Sequence, residues 1–232
     1  MKRAIVMILL GLAAKVAAQQ VRVVVQVIEV PHAVLTKWTT GEKLTGEELY
    51  ERAAKLASGG GAEVLDTNML MVRSGERAFH ESVAEFIYPT EYSVEGLDRV
   101  FDPPESLQLF RRAIRPLVFL DSETRDVGTT VEIEAAVSNN GTMVDLRLSY
   151  EMLDRESLMV WWKFRDRWGD ASIKKPIFET KHSSSQMVLT PGKFELCNVF
   201  APKPAAVPAV KTRQLVFVRC EVLKADADLP RK

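Results

Sequence analysis

At 232 residues and 26.0 kDa, the chain is long enough for one large or two small domains and for a core that takes about 70% of its surface out of water. Its 31 Lys+Arg are matched by 31 Asp+Glu, so it lacks the basic excess with which a nucleic-acid binder displaces counterions. With 47% apolar and 27% charged residues it is neither a disordered nor a fibrous chain.

Residues 1–18 read as a secretory signal peptide. Lys2 and Arg3 open it, Ala4 to Ala14 are apolar, and Val16-Ala17-Ala18 offers a small-residue cleavage site. An apolar stretch of about 11 residues makes a helix of about 16 Å, against about 30 Å for a bilayer core. Lys15 beside the cleavage site is atypical, which leaves an uncleaved anchor as the alternative. The expected organisation is a signal peptide over 1–18, an exported β domain over 19–223 and a flexible tail over 224–232.

The β-branched run Val21 to Val30 predicts a strand. Thr45 and Glu48 have the spacing of a capping box, and Leu44 and Leu49 that of a hydrophobic staple. A helix over Thr45 to Ser58 follows, with Leu49, Ala53 and Leu56 on one stripe. Gly59-Gly60-Gly61 come after this helix, where glycines stop it; a phosphate loop would precede a helix. Glu63 to Val72 and Ala78 to Tyr88, joined at Ser74-Gly75, suggest a hairpin. Asp102-Pro103 could open a second helix over Glu105 to Ile114, ended by Pro116. Arg111, Arg112 and Arg115 near its end suit a solvated face that complements the helix dipole, or contact with phosphate-bearing lipid or a partner.

Thr129 to Glu151 is the clearest hairpin. Asn140-Gly141 is the preferred pair for a two-residue type I′ turn. Centring the register there pairs Val137 with Val144, Ala135 with Leu146, Ile133 with Leu148 and Val131 with Tyr150. The other face pairs Glu134 with Arg147 and Glu132 with Ser149, so a one-residue slip would scramble both faces. Met159 to Phe164 and Trp168 form the densest aromatic patch. Trp161, Trp162, Phe164 and Trp168 are therefore candidate interface residues, with core packing and a membrane-interface belt as the competing readings. Two final strands, Lys193 to Phe200 and Arg213 to Leu223, flank the Pro/Ala-rich connection Ala201 to Val210.

Export would permit a disulfide. Cys197 and Cys220, with 22 residues between them, are the candidate pair, the alternative being two buried thiols on neighbouring strands. No zinc set and no nucleophile elbow surrounds His32, His80, His182 or the Ser183-Ser184-Ser185 run. No catalytic residue, metal ligand or cofactor site is expected. The fold class is mainly β with minor α, an antiparallel, sandwich-like domain with one or two helices.

Several segments in order resemble the C-terminal domain of bacterial secretins, the ring-forming outer-membrane proteins of type II and III secretion and type IV pili. VVVQVIEVPHAVL resembles the opening strand and AEVLDTNMLMVRSGERAFHESVAEFIYPTEY the strand–turn–strand block. ETRDVGTTVEIEAAVSNNGTMVDLRLSYEM is the strongest match, with Arg125-Asp126-Val127-Gly128 leading into the hairpin. KPIFETKHSSSQMVLTPGKFELCNVF resembles the next strand pair and RQLVFVRCEVL the closing strand. Asn68 stands where the family usually has Pro, Cys197-Asn198-Val199 near a usual Gly-Gly-Leu, and the Ala201 to Thr212 connection where a longer lip segment is usual. Membrane-spanning strands take about 9–11 residues; Val131 to Val137 and Val144 to Tyr150 are shorter, which favours an accessory over a complete channel.

The resemblance implies a non-enzymatic cell-envelope component or accessory of a bacterial secretion or type IV pilus apparatus. Its partners would be copies of itself or other secretion and pilus proteins, with periplasmic or outer-membrane location and candidate outer-membrane contact. The alternative is a soluble exported binding or adhesion domain that reuses the same strands.

Overall fold

In a computed structural model, the structure describes residues 19–41, 43–93, 118–166, 169–201 and 211–223. The signal-peptide reading of 1–18, the second helix over 105–114 with its arginines, Trp168, most of the Pro/Ala-rich connection and the 224–232 tail lie outside the described residues. Within them the chain runs β1 (Gln20–Pro31), α1 (His32–Gly41), α2 (Gly46–Ser58), β2 (Glu63–Arg73), β3 (Arg77–Ser93), β4 (Val118–Val137), β5 (Val144–Asp166), β6 (Gly169–Leu189), β7 (Phe194–Phe200) and β8 (Thr212–Leu223). Every pairing recorded between these strands is antiparallel. The mainly β, sandwich-like fold class is as the sequence predicts.

Two four-stranded sheets, ordered β2-β1-β8-β7 and β3-β4-β5-β6, face one another. Val21, Val23, Val25 and Val27 of β1 and Val216, Val218 and Cys220 of β8 meet Val131, Ile133 and Ala135 of β4 and Leu146, Leu148 and Tyr150 of β5 in one buried core. The opposite face of β1 and β8 is covered too. Val24, Ile28, Leu215 and Phe217 pack beneath Leu35 of α1 and Leu49 and Ala53 of α2. Burial on both faces is why β1 reads as a nearly unbroken valine run instead of an alternating one.

The α2 N-terminus carries the reciprocal capping box: Glu48 N–H donates to Thr45 Oγ1 at 3.3 Å, and Thr45 N–H to Glu48 Oε2 at 2.8 Å. α1 has no counterpart in the sequence reading. His32-Ala33-Val34-Leu35-Thr36 mixes helix formers (Ala33, Leu35) with β-branched Val34 and Thr36; Pro31 ends β1, and Thr36, Thr39 and Thr40 turn their hydroxyls onto the carbonyls of His32, Leu35 and Thr36.

Two expectations are corrected. β2 and β3 do not form a hairpin: β2 pairs with β1 and β3 with β4, so Ser74-Gly75 carries the chain from one sheet to the other. The turn is bound to the second sheet, Gly75 N–H donating to the Ala135 carbonyl (2.8 Å) and Val137 N–H to Ser74 Oγ (2.9 Å). The β4–β5 register matches the sequence expectation pair for pair, from Val137 with Val144 to Val131 with Tyr150. Its loop is wider than a type I′ turn. Gly141 N–H donates to Ser138 O (2.8 Å), placing Asn139 and Asn140 at the corner without positive φ, and only Gly141, at φ +71°, is left-handed. Asn140 Oδ1 accepts from Ser138 Oγ, Thr142 N–H and Thr142 Oγ1, which holds the wider loop.

Candidate assembly surface

The second sheet outruns the first. β3, β4, β5 and β6 hold 17, 20, 23 and 21 residues, and at about 3.3 Å per residue a 20-residue strand reaches about 65 Å. The expectation of short strands is thereby overturned, and with it the length argument against a spanning role. The extension was illegible because Asp121 to Asp126 of β4 is polar at every position and exposed, with no alternation to mark a strand.

β4 and β5 pair only between Gly128–Val137 and Val144–Leu153. Beyond that, the sheet forks into two ribbons: β3 with β4, paired as far as Ser93 and Val118, and β5 with β6, paired as far as Asp166 and Gly169. Gly128 stands at the fork with φ +144°, and a Cβ there would lie 2.2 Å from the Ser82 carbonyl oxygen. Only glycine allows this close approach of two backbones.

The ribbons touch through aromatic rings. Phe178 of β6 meets Phe86 edge-on at 6.1 Å and Tyr88 at 5.5 Å between centroids, both of β3, and the Arg155 guanidinium of β5 lies 4.7 Å from the Phe86 ring centre. Tyr88 Oη donates to Glu123 Oε2 on the neighbouring strand at 2.7 Å.

Just below the fork Lys181 is buried, with Nζ 2.8 Å from Asp154 Oδ2 and 3.1 Å from Glu179 Oε2. Burial would push its ammonium down, but the hydrogen bonds it donates to Asp154 and Glu179 outweigh this and hold it above the ordinary lysine value. It is therefore charged throughout the physiological range. Deeper in the core, Tyr150 Oη donates to Asp66 Oδ2 (3.2 Å), which also receives the Asn68 amide (2.8 Å). Asn68, where the resembled family has Pro, thus contributes a side-chain donor to a polar contact between the two sheets.

Of the sequence-predicted interface residues, Trp161 is 62% exposed, with the Lys175 ammonium 4.5 Å from its ring. Trp162 and Phe164 lie on the same strand, after a bulge between Val160 and Trp162. Leu158, Met159 and Val160 are also exposed, so consecutive residues of this ribbon show apolar side chains on both faces. β3 adds Phe79 and Ile87, 61% and 65% exposed, which sequence reasoning left unmarked. The free edges differ in charge. β3 presents exposed Glu81, Glu85 and Glu91, whereas β6 presents Lys174 and Lys175.

Cys197 and Cys220 are free thiols in the structure. They lie on neighbouring strands, but Cys197 falls at a bulge opposite the Val216–Phe217 step. Cys220 is three to four residues farther along β8, about 10 Å away and beyond the reach of a disulfide. Burial raises both thiol pKa values, Cys220 to about 12, with hydrogen bonds from Ser185 and Ser183 partly opposing the shift at Cys197. Among the described residues no group of three His, Cys, Asp or Glu is placed to hold a metal ion, and no helix is long and apolar enough to cross a membrane. The latter says nothing of strands.

Fold and surface together define a two-sheet β sandwich bearing long, forked, two-stranded arms. No known protein-family profile and no curated protein matches the chain. Among solved structures it is similar to the Vibrio cholerae type IV competence pilus secretin PilQ, at 11% identity over 90% of this chain and 62% of that one, TM-score 0.43. It is likewise similar to the secretin-domain β-barrel of InvG from the Salmonella SPI-1 injectisome (13%, 93% of this chain, 66% of that one, TM-score 0.44). A third is Aeromonas hydrophila ExeD (12%, 90% and 49%, TM-score 0.38). The chain spans about half to two thirds of the length of these solved chains.

Proposed function

We propose that the chain is a secretin-like, non-enzymatic assembly component of a bacterial cell-envelope secretion or type IV pilus apparatus, acting by joining copies of itself through the long strands. The observation that carries this reading is the pair of arm edges. On the β3 edge Glu81, Glu85 and Glu91 are exposed, while Arg77 at its start is paired with Glu132 and Glu134; on the β6 edge Lys174 is exposed and Lys175 half-buried against Trp161. Such edges suit β6 of one copy beside β3 of the next, a head-to-tail contact that closes into a ring when its rotation permits. Exposed Phe79 and Ile87 lie on β3, and exposed Met159 and Trp161 lie on β5 beside β6, so these side chains would gain cover in that arrangement. The five secretin-like sequence segments give the class of apparatus, and the periplasm or outer membrane is the location that class implies. The reading is of a self-assembling component; an additional partner from the same apparatus is compatible with it.

Native mass measurement and cell fractionation of the full chain test the proposal together. The expected result is a large, discrete oligomer that sediments with the envelope. A monomer at tens of micromolar that stays in the soluble fraction would overturn it.

A further inference from the structure

The fork leaves two strand edges, β4 beyond Gly128 and β5 beyond Leu153, not paired with each other although the same strands are paired below it. Counting the base register onward across the fork sets Asp126 opposite Arg155, Arg125 opposite Glu156 and Thr124 opposite Ser157. The Asp126–Arg155 rung thus brings opposite charges together on one face. A slip of one residue in either direction would set Asp126 against Asp154 or Glu156, so the charges select one register. The observed arrangement prevents it. Arg155 lies over Phe86, whose cross-strand partner is Arg125, on the face of the β3–β4 ribbon opposite Asp126. Phe178 is the cross-strand partner of Arg155 and packs with Phe86 and Tyr88. In a zipped sheet Arg155 and Phe178 would share a face with Asp126, and Phe86 and Tyr88 would lie on the other. The two arrangements exclude each other.

We infer that Phe86, Tyr88, Phe178 and Arg155 form a latch that holds the two arms apart, and that its release lets β4 and β5 zip onward from Gly128 in their existing register. The device is intramolecular and stands whether or not copies assemble. Its consequence is that one chain has two states: a latched state with four free ribbon edges, and a zipped state with two. Gly128 is the pivot, since its backbone alone fits against Ser82 at the point of divergence.

Disulfide trapping in the purified full chain tests this with Thr124→Cys and Ser157→Cys, neither of which belongs to the latch. Cys197 and Cys220 stay in place, the first partly and the second fully buried, and each single variant serves as a control for their reaction. With the latch intact the trapped fraction should be small. Adding Phe178→Ala with Tyr88→Ala should raise it about tenfold, the change expected from losing such ring contacts. Phe178→Leu, which keeps the apolar bulk, covers the case in which the double variant fails to fold. A trapped fraction that stays at baseline in a latch variant whose circular dichroism is unchanged would overturn the inference. So would a fraction already high with the latch intact. Faster trapping in the out-of-register pair Thr124→Cys and Leu158→Cys would overturn the proposed register.

Discussion

Two glycines with positive φ separate two kinds of constraint. Gly141, at φ +71°, has nothing within 4 Å of where a Cβ would sit, so Gly141→Val meets only the left-handed backbone cost of about 1–2 kcal/mol. Gly128, at φ +144°, adds a Cβ placed 2.2 Å from Ser82 O and 2.8 Å from Val83 Cα. Both obstacles are backbone and cannot rotate away, so Gly128→Val should cost more than about 3 kcal/mol. Urea unfolding of the two variants checks the ranking; equal losses would mean that the fork is not as tight as drawn. At Cys220, a buried thiol with its pKa pushed up to about 12 should resist alkylation at pH 8 in the native protein. Both Cys197 and Cys220 should react promptly in denaturant, and mass spectrometry reads the difference. The sequence placed these cysteines on adjacent strands but could not show the bulge at Cys197. A bulge depends on which residues the partner strand offers, and no local pattern encodes that.

Elements were legible where a local device or a two-faced pattern fixed them. The α2 start was readable because its capping box is complete within Thr45 to Glu48. The β4–β5 register was readable because Val131, Ile133 and Ala135 alternate with Glu132 and Glu134 against a matching strand. β2 and β3 misled because Ser74-Gly75 has the form of a hairpin turn, while the two strands lie in different sheets, β2 beside β1 and β3 beside β4. The capping box also makes a pH-dependent prediction. Hydrogen bonding from Thr45 N–H, then from its hydroxyl, holds the Glu48 carboxyl below its ordinary value. A lowered folded pKa gives stability that is present above the ordinary carboxylate range and lost as pH falls through the lowered value. Thr45→Ala removes the hydroxyl and should cost about 1 kcal/mol near neutral pH. It should also move the Glu48 titration midpoint, read by carboxyl NMR, upward. An unmoved midpoint would show that the box is not formed in solution.

For the whole molecule the decisive quantity is the charge on the arm edges, because exposed apolar residues alone favour association without choosing a partner. If β6 of one copy lies beside β3 of the next, Lys174→Glu with Lys175→Glu sets acid against acid at every contact. Glu81→Lys with Glu85→Lys makes the β3 edge basic and so opposes base to base. Exposed charge pairs are worth about 0.2–1 kcal/mol each, so each double variant should weaken assembly about tenfold and both should sediment as smaller species. Mixing the two should restore large oligomers. The reversed β6 edge of the first then meets the reversed β3 edge of the second, while their unaltered edges still attract. The restored assembly should weaken as salt rises from 0.05 to 0.5 M, because exposed charges are screened over about 10 Å at 0.1 M ionic strength. Analytical ultracentrifugation of the single variants and the mixture distinguishes this from association through the apolar residues, which the charge reversals would leave intact and the mixture would not improve. Restoration only on mixing requires that unlike edges meet, and that requirement separates a head-to-tail ring from a symmetric dimer built on either edge alone.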